Sequence, residues 1–174
     1  VGFKNGTDGS LGTAINAMRA ASMAHRFVGI NQAGQVCLLQ TQGNPDGHVI
    51  LRGGKTPNYS AEHVAACEKQ MQDAGLHPSL MIDCSHGNSN KDYRRQPAVA
   101  ESVVEQIRAG NRSITGIMLE SNLHEGSQSS EQPRVDMRYG VSVTDACINW
   151  ESTETLLRQM HQELGAALMA RTGE

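Results

Sequence analysis

Aromatic side chains are scarce in this chain, and long apolar runs are absent from it. Phe, Trp and Tyr together make up 3% of the 174 residues, and the formal net charge is −3. Nucleic acids are bound through basic surfaces and stacked aromatic side chains, so we expect no nucleic-acid partner. No apolar run reaches the ~20 residues that a membrane-spanning helix needs, and nothing resembles a signal peptide. The sequence therefore predicts no membrane partner.

Cysteines are few and widely scattered. Cys37, Cys67, Cys84 and Cys147 form neither a CxxC pair nor the dense framework of a small secreted domain. Reduced thiols are the better interpretation, and they indicate a cytoplasmic protein. With 38% hydrophobic and 19% charged residues, the chain has the composition of a globular protein. Its length suits one domain with a core, and we assign residues 1–174 to it.

Four short apolar runs each stop at one ionisable residue, which is followed at once by Gly, Asn or Ser. These residues are Lys4, Arg52, His86 and Glu120. Buried strands of a parallel sheet read as nearly continuous apolar runs, because helices cover both faces. A (β/α) barrel builds its site from the carboxyl ends of such strands. Two cations, an imidazole and a carboxylate at four strand ends suit an anionic substrate beside a metal ion.

Helical patterns alternate with these strands and predict an α/β fold. We expect helices over 11–22, with Ser10 as its candidate cap, and over 60–74, 96–109 and 151–170. Residues 26–41 interrupt the alternation with two β-biased runs around a Gly-containing turn, which predicts an inserted β-hairpin. Four βα units are about half of a (β/α)8 TIM barrel, which takes ~250 residues.

Three residues are candidate metal ligands. His86 is also a candidate general base, and neutral imidazole is the commonest metal donor in proteins. Glu120 is a carboxylate that is costly to bury unless it is paired or bound to a metal. Asp145 follows a long polar loop, and capping the last helix is its alternative role. One nitrogen and two oxygen ligands suit a divalent first-row metal. We assign Cys84 to the core, because free cysteines are usually buried.

The two cationic strand ends are candidate anion ligands. Lys4 precedes a Gly-rich loop; a surface lysine and a Schiff-base nucleophile are its alternative roles. Arg52 precedes two glycines, which let backbone N–H groups approach an anion that the guanidinium binds in a forked geometry. A structural arginine bonded to loop carbonyls is the alternative. Lys55 adds positive charge nearby.

At these positions the chain resembles the microbial type I family of 3-deoxy-D-arabino-heptulosonate 7-phosphate (DAHP) synthases. The matching blocks are residues 2–9, 50–55, 83–90, 120–122 with 125–126, and 142–147. The resemblance runs in order over the whole chain and implies strands five to eight of the family's barrel. The chain opens at Val1, directly in an apolar strand, and we expect the beginning of the protein to be missing.

The resemblance implies a condensation of phosphoenolpyruvate with erythrose 4-phosphate that releases phosphate, the first step of the shikimate pathway of aromatic amino acid biosynthesis. Lys4 and His86 would be catalytic, and Lys4, Arg52 and Asp145 would contact substrate. His86, Glu120 and Asp145 would bind a divalent Mn, Fe, Co or Zn ion. The family's fourth metal ligand, a cysteine, and its other phosphate-binding residues lie in the half that this sequence lacks. We therefore expect the chain alone to be inactive and poorly soluble.

The resemblance also implies regulation. The family builds part of its effector pocket on the hairpin at 26–41, and the sequence of residues 26–34 is most like that of the tyrosine-sensitive form. Tyrosine is thus the expected effector, and a homo-oligomer the expected assembly. Three other interpretations remain open: a Schiff-base aldolase that uses Lys4, a non-catalytic half-barrel, and the sister condensation with a pentose phosphate.

Overall fold

The computed structural model describes residues 1–172 and has a parallel sheet with helices between its strands. In chain order the elements are β1 (Gly2–Lys4), α1 (Gly12–Ser22), β2 (Arg26–Ile30), β3 (Val36–Gln40), β4 (His48–Leu51), α2 (Ala61–Asp73), β5 (Leu80–Asp83), α3 (Gln96–Arg108), β6 (Ile114–Met118) and α4 (Trp150–Thr172). Single 3-10 turns lie at Tyr93–Arg95 and Arg134–Asp136. The predicted helices agree with α1 to α4 to within two residues at each described end.

The strands β1, β4, β5 and β6 form one parallel sheet in that order. Lys4 pairs with Ile50, and Asp83 pairs with Met118, so the carboxyl ends of all these strands lie along one side of the sheet. The α/β class with a parallel sheet is therefore confirmed. Within residues 1–172 the sheet is open, with β1 and β6 at its edges, and closure into a barrel stays a prediction.

The core lies between the sheet and its helices. Every strand of the sheet except β1 contributes residues that are fully buried, which explains why these strands read as continuous apolar runs. The buried core positions on strands are Val49, Leu51, Leu80, Ile82 and Ile114. The helices pack against them with Ile15, Met18, Val64, Cys67, Met71, Val99, Val103, Leu156 and Leu164.

Helix starts differ in how they are capped. Ser60, the predicted first residue of the second helix, is the N-cap of α2, but its hydroxyl contacts His63 Nδ1 at 2.7 Å instead of a backbone N–H. The predicted Ser10 cap of α1 is wrong, because Leu11 occupies the N-cap position. The N–H of Ser10 instead donates to Asp8 Oδ1 at 2.9 Å, which closes the loop after β1.

The strands β2 and β3 form a separate antiparallel hairpin between α1 and β4. Its turn uses Asn31, whose side-chain oxygen accepts from the N–H groups of Ala33 and Gln35 at 3.0 Å each. Apolar side chains on the hairpin are largely exposed, namely Phe27, Val28, Ile30, Val36 and Leu38. The hairpin therefore contributes little to the core of the described chain.

None of the helices in the described part of the chain is long and apolar enough to cross a membrane. Cys37, Cys67, Cys84 and Cys147 are all free thiols, as the scattered spacing predicts.

Candidate active site

The ionisable residues that end the apolar runs lie together at the carboxyl side of the sheet. Lys4 is the last residue of β1, and Arg52 directly follows β4. His86 lies in the turn after β5, and Glu120 lies just beyond β6. Parallel strands bring these four positions to one side of the sheet, although the positions are far apart in the sequence.

His86, Glu120 and Asp145 form a compact group with one candidate ligand atom each, all within 4.8 Å of one another. His86 Nε2 is 3.6 Å from Glu120 Oε1 and 3.6 Å from Asp145 Oδ2. Two ligand atoms bound at ~2.0–2.2 Å to one tetrahedral ion are separated by roughly 3.3–3.6 Å. In the described chain neither carboxylate forms an ion pair with Lys or Arg. The donor set and its spacing therefore fit a divalent cation.

Hydrogen bonds hold both the carboxylate and the backbone of Glu120. Ser85 Oγ donates to Glu120 Oε2 at 2.6 Å, which leaves Oε1 facing His86. The fully buried Gln96 accepts from the N–H of Glu120 at 2.8 Å and donates to its carbonyl at 3.0 Å. Asp145, by contrast, has a side chain that is 67% exposed. The site is thus well ordered around Glu120 and open at Asp145.

The backbone of His86 is in the left-handed region, with φ at +47°. A residue with a side chain pays roughly 1–3 kcal/mol for such a conformation and keeps it where the surroundings enforce it. Here the His86 carbonyl accepts from the N–H of Lys91 at 2.8 Å, and the N–H of Gly87 donates to the Arg52 carbonyl at 3.0 Å. These bonds fix the turn that directs the imidazole toward the two carboxylates.

Asp83 is a site residue that the sequence analysis missed. It is fully buried at the end of β5, and its Oδ2 lies 3.1 Å from Lys4 Nζ and 2.9 Å from His86 Nδ1. The N–H of Ser85 donates to its Oδ1 at 2.9 Å. The signal was available, since Asp83 is a charged residue within an apolar run and a buried charge needs partners.

Arg52 has a fixed backbone and an unpaired head group. Its N–H donates to Asn5 Oδ1 at 2.8 Å. Arg52 as a residue is half-buried, and its guanidinium makes no hydrogen bond or ion pair with residues 1–172. The alternative of a structural arginine bonded to loop carbonyls thus finds no contact in this part of the chain. Lys55 is exposed nearby; its charge adds to the Ser10 hydrogen bonds that lower the pKa of Asp8.

Three buried asparagines, also missed by the sequence analysis, connect the loops after β1, β4 and β5. Asn58 Oδ1 accepts from the N–H of Gly53 at 2.7 Å, and its own N–H donates to Asn88 Oδ1 at 2.8 Å. Asn5 Nδ2 donates to the Gly53 carbonyl at 2.9 Å. Asn88 Nδ2 donates to the Leu51 carbonyl at 3.0 Å. The loop that carries Arg52 is therefore held from both neighbouring strands.

Close backbone packing adds to this connection. Gly53 has a φ of +75°, and a Cβ placed on it would lie 2.5 Å from the carbonyl carbon of Gly87. A Cβ on Gly54 would lie 2.5 Å from the nitrogen of Gly9. The glycines after Arg52 thus serve loop packing, in addition to the access for an anion that the sequence analysis assigned to them.

Cys84 is buried, as the sequence analysis expected. Burial, and next the charge of Asp83, raise the pKa of its thiol to about 12. A metal-binding cysteine is a thiolate, so this environment disfavours a ligand role.

The candidate metal ligands His86, Glu120 and Asp145 border a small cavity of ≈ 40 Å³ that Lys91 and Tyr93 also line. A larger groove of ≈ 200 Å³ lies between α3 and α4, bordered by Glu101, Arg108 and Glu163. We place the site at the smaller cavity, because the convergent ligand atoms lie there.

Comparison with known proteins identifies the family of the chain. Residues 1–158 match the family model described as the DAHP synthetase I family, and the chain belongs to this family. It is 78% identical, over its whole length and 82% of the relative, to the tyrosine-sensitive phospho-2-dehydro-3-deoxyheptonate aldolase of Enterobacter agglomerans. It is also 78% identical to the tyrosine-sensitive enzyme of Escherichia coli K12, over 98% of this chain and 48% of that protein.

A phenylalanine-sensitive enzyme of Escherichia coli K12 is 49% identical to 99% of the chain. The structure of phospho-2-dehydro-3-deoxyheptonate aldolase from Francisella tularensis SCHU S4 superimposes with a TM-score of 0.86 at 40% identity. That superposition covers 95% of this chain and 48% of the other. The chain thus spans about half the length of the E. coli and Francisella relatives.

Proposed function

We propose that this chain forms the metal-binding and anion-binding half of a DAHP synthase. The complete protein condenses phosphoenolpyruvate with erythrose 4-phosphate and releases inorganic phosphate. The observation that carries the proposal is the group of His86, Glu120 and Asp145 at the same side of the sheet as Lys4 and Arg52. The names of the relatives, which are aldolases of the corresponding product, support the reaction class.

Lys4 and Arg52 bind the carboxylate and phosphate of phosphoenolpyruvate. They come from neighbouring strands, β1 and β4, and both present cations toward the side of the sheet that holds the metal ligands. Arg52 is half-buried, and its guanidinium, which has no partner among residues 1–172, suits a forked contact with phosphate or carboxylate. Lys4 supplies a point charge whose position is held by Asp83.

His86, Glu120 and Asp145 bind a divalent Mn, Fe, Co or Zn ion through one nitrogen and two carboxylate oxygens. Such an ion supplies Lewis-acid polarisation of the erythrose 4-phosphate aldehyde. His86 presents Nε2 to this position, and Ser85 orients the Glu120 carboxylate. Asp145, whose side chain is largely exposed, also contacts the substrate in this proposal.

The parallel sheet corresponds in this proposal to strands five to eight of a (β/α)8 barrel. The chain covers only 48% of the E. coli relative, and the proposal assigns closure of the sheet and further anion ligands to a second half. Residues 1–172 alone then contain an incomplete substrate site.

The Schiff-base interpretation receives less support. The Lys4 ammonium forms an ion pair with a fully buried carboxylate at 3.1 Å, whereas imine formation needs the free amine. A purely structural role for a half-barrel does not explain why His86, Glu120 and Asp145 lie close together. Condensation with a pentose phosphate is a sister possibility that depends on the aldehyde contacts of the missing half.

The hairpin at 26–41 is proposed as part of a tyrosine effector site in a homo-oligomer. Its exposed apolar side chains, such as Val28 and Val36, need a covering partner in the complete protein. The tyrosine-sensitive names of relatives at 78% identity support the choice of effector.

The first test is a phosphate-release assay on the full-length protein with both substrates. We expect a chelator to abolish activity, Mn²⁺ to restore it, and His86→Ala to lower it at least about 100-fold. His161→Ala, at an exposed position on α4, is the matched control and keeps wild-type activity. Activity that survives both the chelator and His86→Ala would remove the metal role. Trapping with borohydride at Lys4 would then establish the Schiff-base mechanism.

A further inference from the structure

One carboxylate oxygen contacts two proposed site residues from different strands. Asp83 Oδ2 lies 3.1 Å from Lys4 Nζ at the end of β1 and 2.9 Å from His86 Nδ1 in the turn after β5. Asp83 is fully buried, and its other oxygen accepts from the N–H of Ser85. The carboxylate therefore occupies the only short side-chain connection between Lys4 and His86 in the part of the chain that the structure describes.

The contact with His86 is close but oblique. Nδ1 is buried and makes no hydrogen bond among residues 1–172, although Asp83 Oδ2 is within contact distance. The opposite ring nitrogen, Nε2, faces Glu120 and Asp145. A histidine that binds a metal through Nε2 carries its proton on Nδ1, and an outer carboxylate commonly orients that proton. The separation of 2.9 Å is already that of a hydrogen bond, so only the ring angle must change for Nδ1–H to donate to Asp83.

The contact with Lys4 leaves part of the lysine side chain accessible to solvent. The Lys4 side chain is 33% exposed, so its ammonium can reach a ligand while one side stays against Asp83. A buried carboxylate is costly unless it is paired, which gives Asp83 a strong preference for keeping both neighbours. The same oxygen thus restricts the lysine and the imidazole at once.

We propose that Asp83 is a positioning residue that orients Lys4 for the anionic substrate and His86 for the metal through one shared oxygen. This inference rests on the proposed function for the roles of Lys4 and His86. It adds that the substrate subsite and the metal subsite are coupled through Asp83. Loss of Asp83 therefore weakens the binding of both the anionic substrate and the metal.

The test compares Asp83→Asn with Asp73→Asn in the full-length protein. Asp73 is an exposed aspartate paired with Lys69 on α2, and its substitution controls for loss of one carboxylate. We expect Asp83→Asn to weaken Mn²⁺ binding to the apoprotein by about 10–100-fold in calorimetry without substrates. We also expect a higher KM for phosphoenolpyruvate. The Asp73→Asn protein keeps both values.

A double-substitution cycle with Lys4→Met separates positioning from simple loss of stability. If Asp83 acts on the substrate through Lys4, the effects of Asp83→Asn and Lys4→Met on phosphoenolpyruvate affinity are non-additive. Additive effects, or Mn²⁺ and phosphoenolpyruvate affinities within twofold of wild type in Asp83→Asn, would overturn the inference.

The wild-type protein offers a measurement that does not depend on whether Asp83→Asn folds. The measurement is ¹⁵N NMR of the Zn²⁺-loaded protein labelled with ¹⁵N-histidine. Comparison with His86→Gln assigns the His86 signals. We expect His86 to carry its proton on Nδ1. A metal on Nδ1, or an Nδ1 without a proton, contradicts the proposal. If the wild type lacks the condensation activity but Asp83→Asn still weakens Mn²⁺ binding, the proposed function fails while the positioning of His86 stands.

Discussion

Single residues in this site depend on buried polar partners. The His86 backbone keeps a left-handed conformation, and Asp83 is a fully buried charge whose oxygens contact Lys4, His86 and Ser85. Both features cost free energy and persist only when several neighbours compensate. Substitutions at such positions are therefore expected to change binding and stability together.

The buried thiols give a residue-scale prediction about pH. Burial raises the pKa of Cys67 and of Cys84 from 9.0 to about 12. Between these values the unfolded thiols lose protons that the folded ones retain, so the contribution of these thiols to the free energy of unfolding is full below pH 9 and falls as the pH rises toward 12. Each thiol contributes at most about 1.4 kcal/mol per pH unit to this decline.

Urea unfolding of the full-length protein at pH 8 and at pH 10.5 measures the effect. We expect Cys84→Ala to lose less stability than the wild type over this interval. Val103→Ala, which also empties a fully buried position, is the control and is expected to keep the wild-type difference. Equal pH dependence in all three proteins would show that these thiols do not titrate as their burial indicates.

At the scale of elements, the site is an assembly of loops after neighbouring strands. Asn5, Asn58 and Asn88 bond the loops to one another, and Gly53 packs directly against Gly87. Strand order alone brings Lys4 and Arg52 to the same side of the sheet. The loop contacts then fix the backbone from which the Arg52 side chain extends.

Gly53→Ala tests this loop packing. The substitution meets both a left-handed φ of +75° and a contact of 2.5 Å with Gly87, so we expect about 1–3 kcal/mol of lost stability and a weaker affinity for phosphoenolpyruvate. Gly75→Ala is the matched control, because Gly75 has a φ of +74° with open space around it.

Thermal unfolding and the KM for phosphoenolpyruvate are the two measurements. Gly75→Ala is expected to lower the melting temperature and leave the KM unchanged. A Gly53→Ala protein with the same KM as the wild type would mean that the loop position does not control the anion subsite.

At the scale of the whole molecule, the described chain has an open sheet and an exposed apolar hairpin. Open edges and apolar patches promote association between chains. We therefore expect residues 1–174 expressed alone to self-associate and to release no phosphate from the two substrates. Analytical ultracentrifugation and the phosphate assay measure both properties. A monomeric, active preparation would refute the proposed need for a second half.

The order of elements and most of the candidate site followed from local sequence. Apolar runs that end at one ionisable residue indicated both the parallel strands and the residues at their carboxyl ends. Helix limits were accurate for the same reason, since periodicity and glycine stops are local signals. The prediction of Ser10 as a cap was wrong, because Ser10 instead bonds to Asp8. Residue propensities do not tell which of these two local interactions forms.

What the sequence determined by itself was which residues stand at the strand ends, because burial on both faces of a parallel sheet leaves a continuous apolar pattern. What only the tertiary structure decided was how those residues contact one another. Asp83 reads in the sequence as part of an apolar strand, and its partners Lys4 and His86 come from different loops. The contacts of Asn5, Asn58 and Asn88 also join separate loops, and no spacing along the chain specifies them. Hydrogen bonds and ion pairs depend on distance and angle in space, which exist only once the strands are aligned.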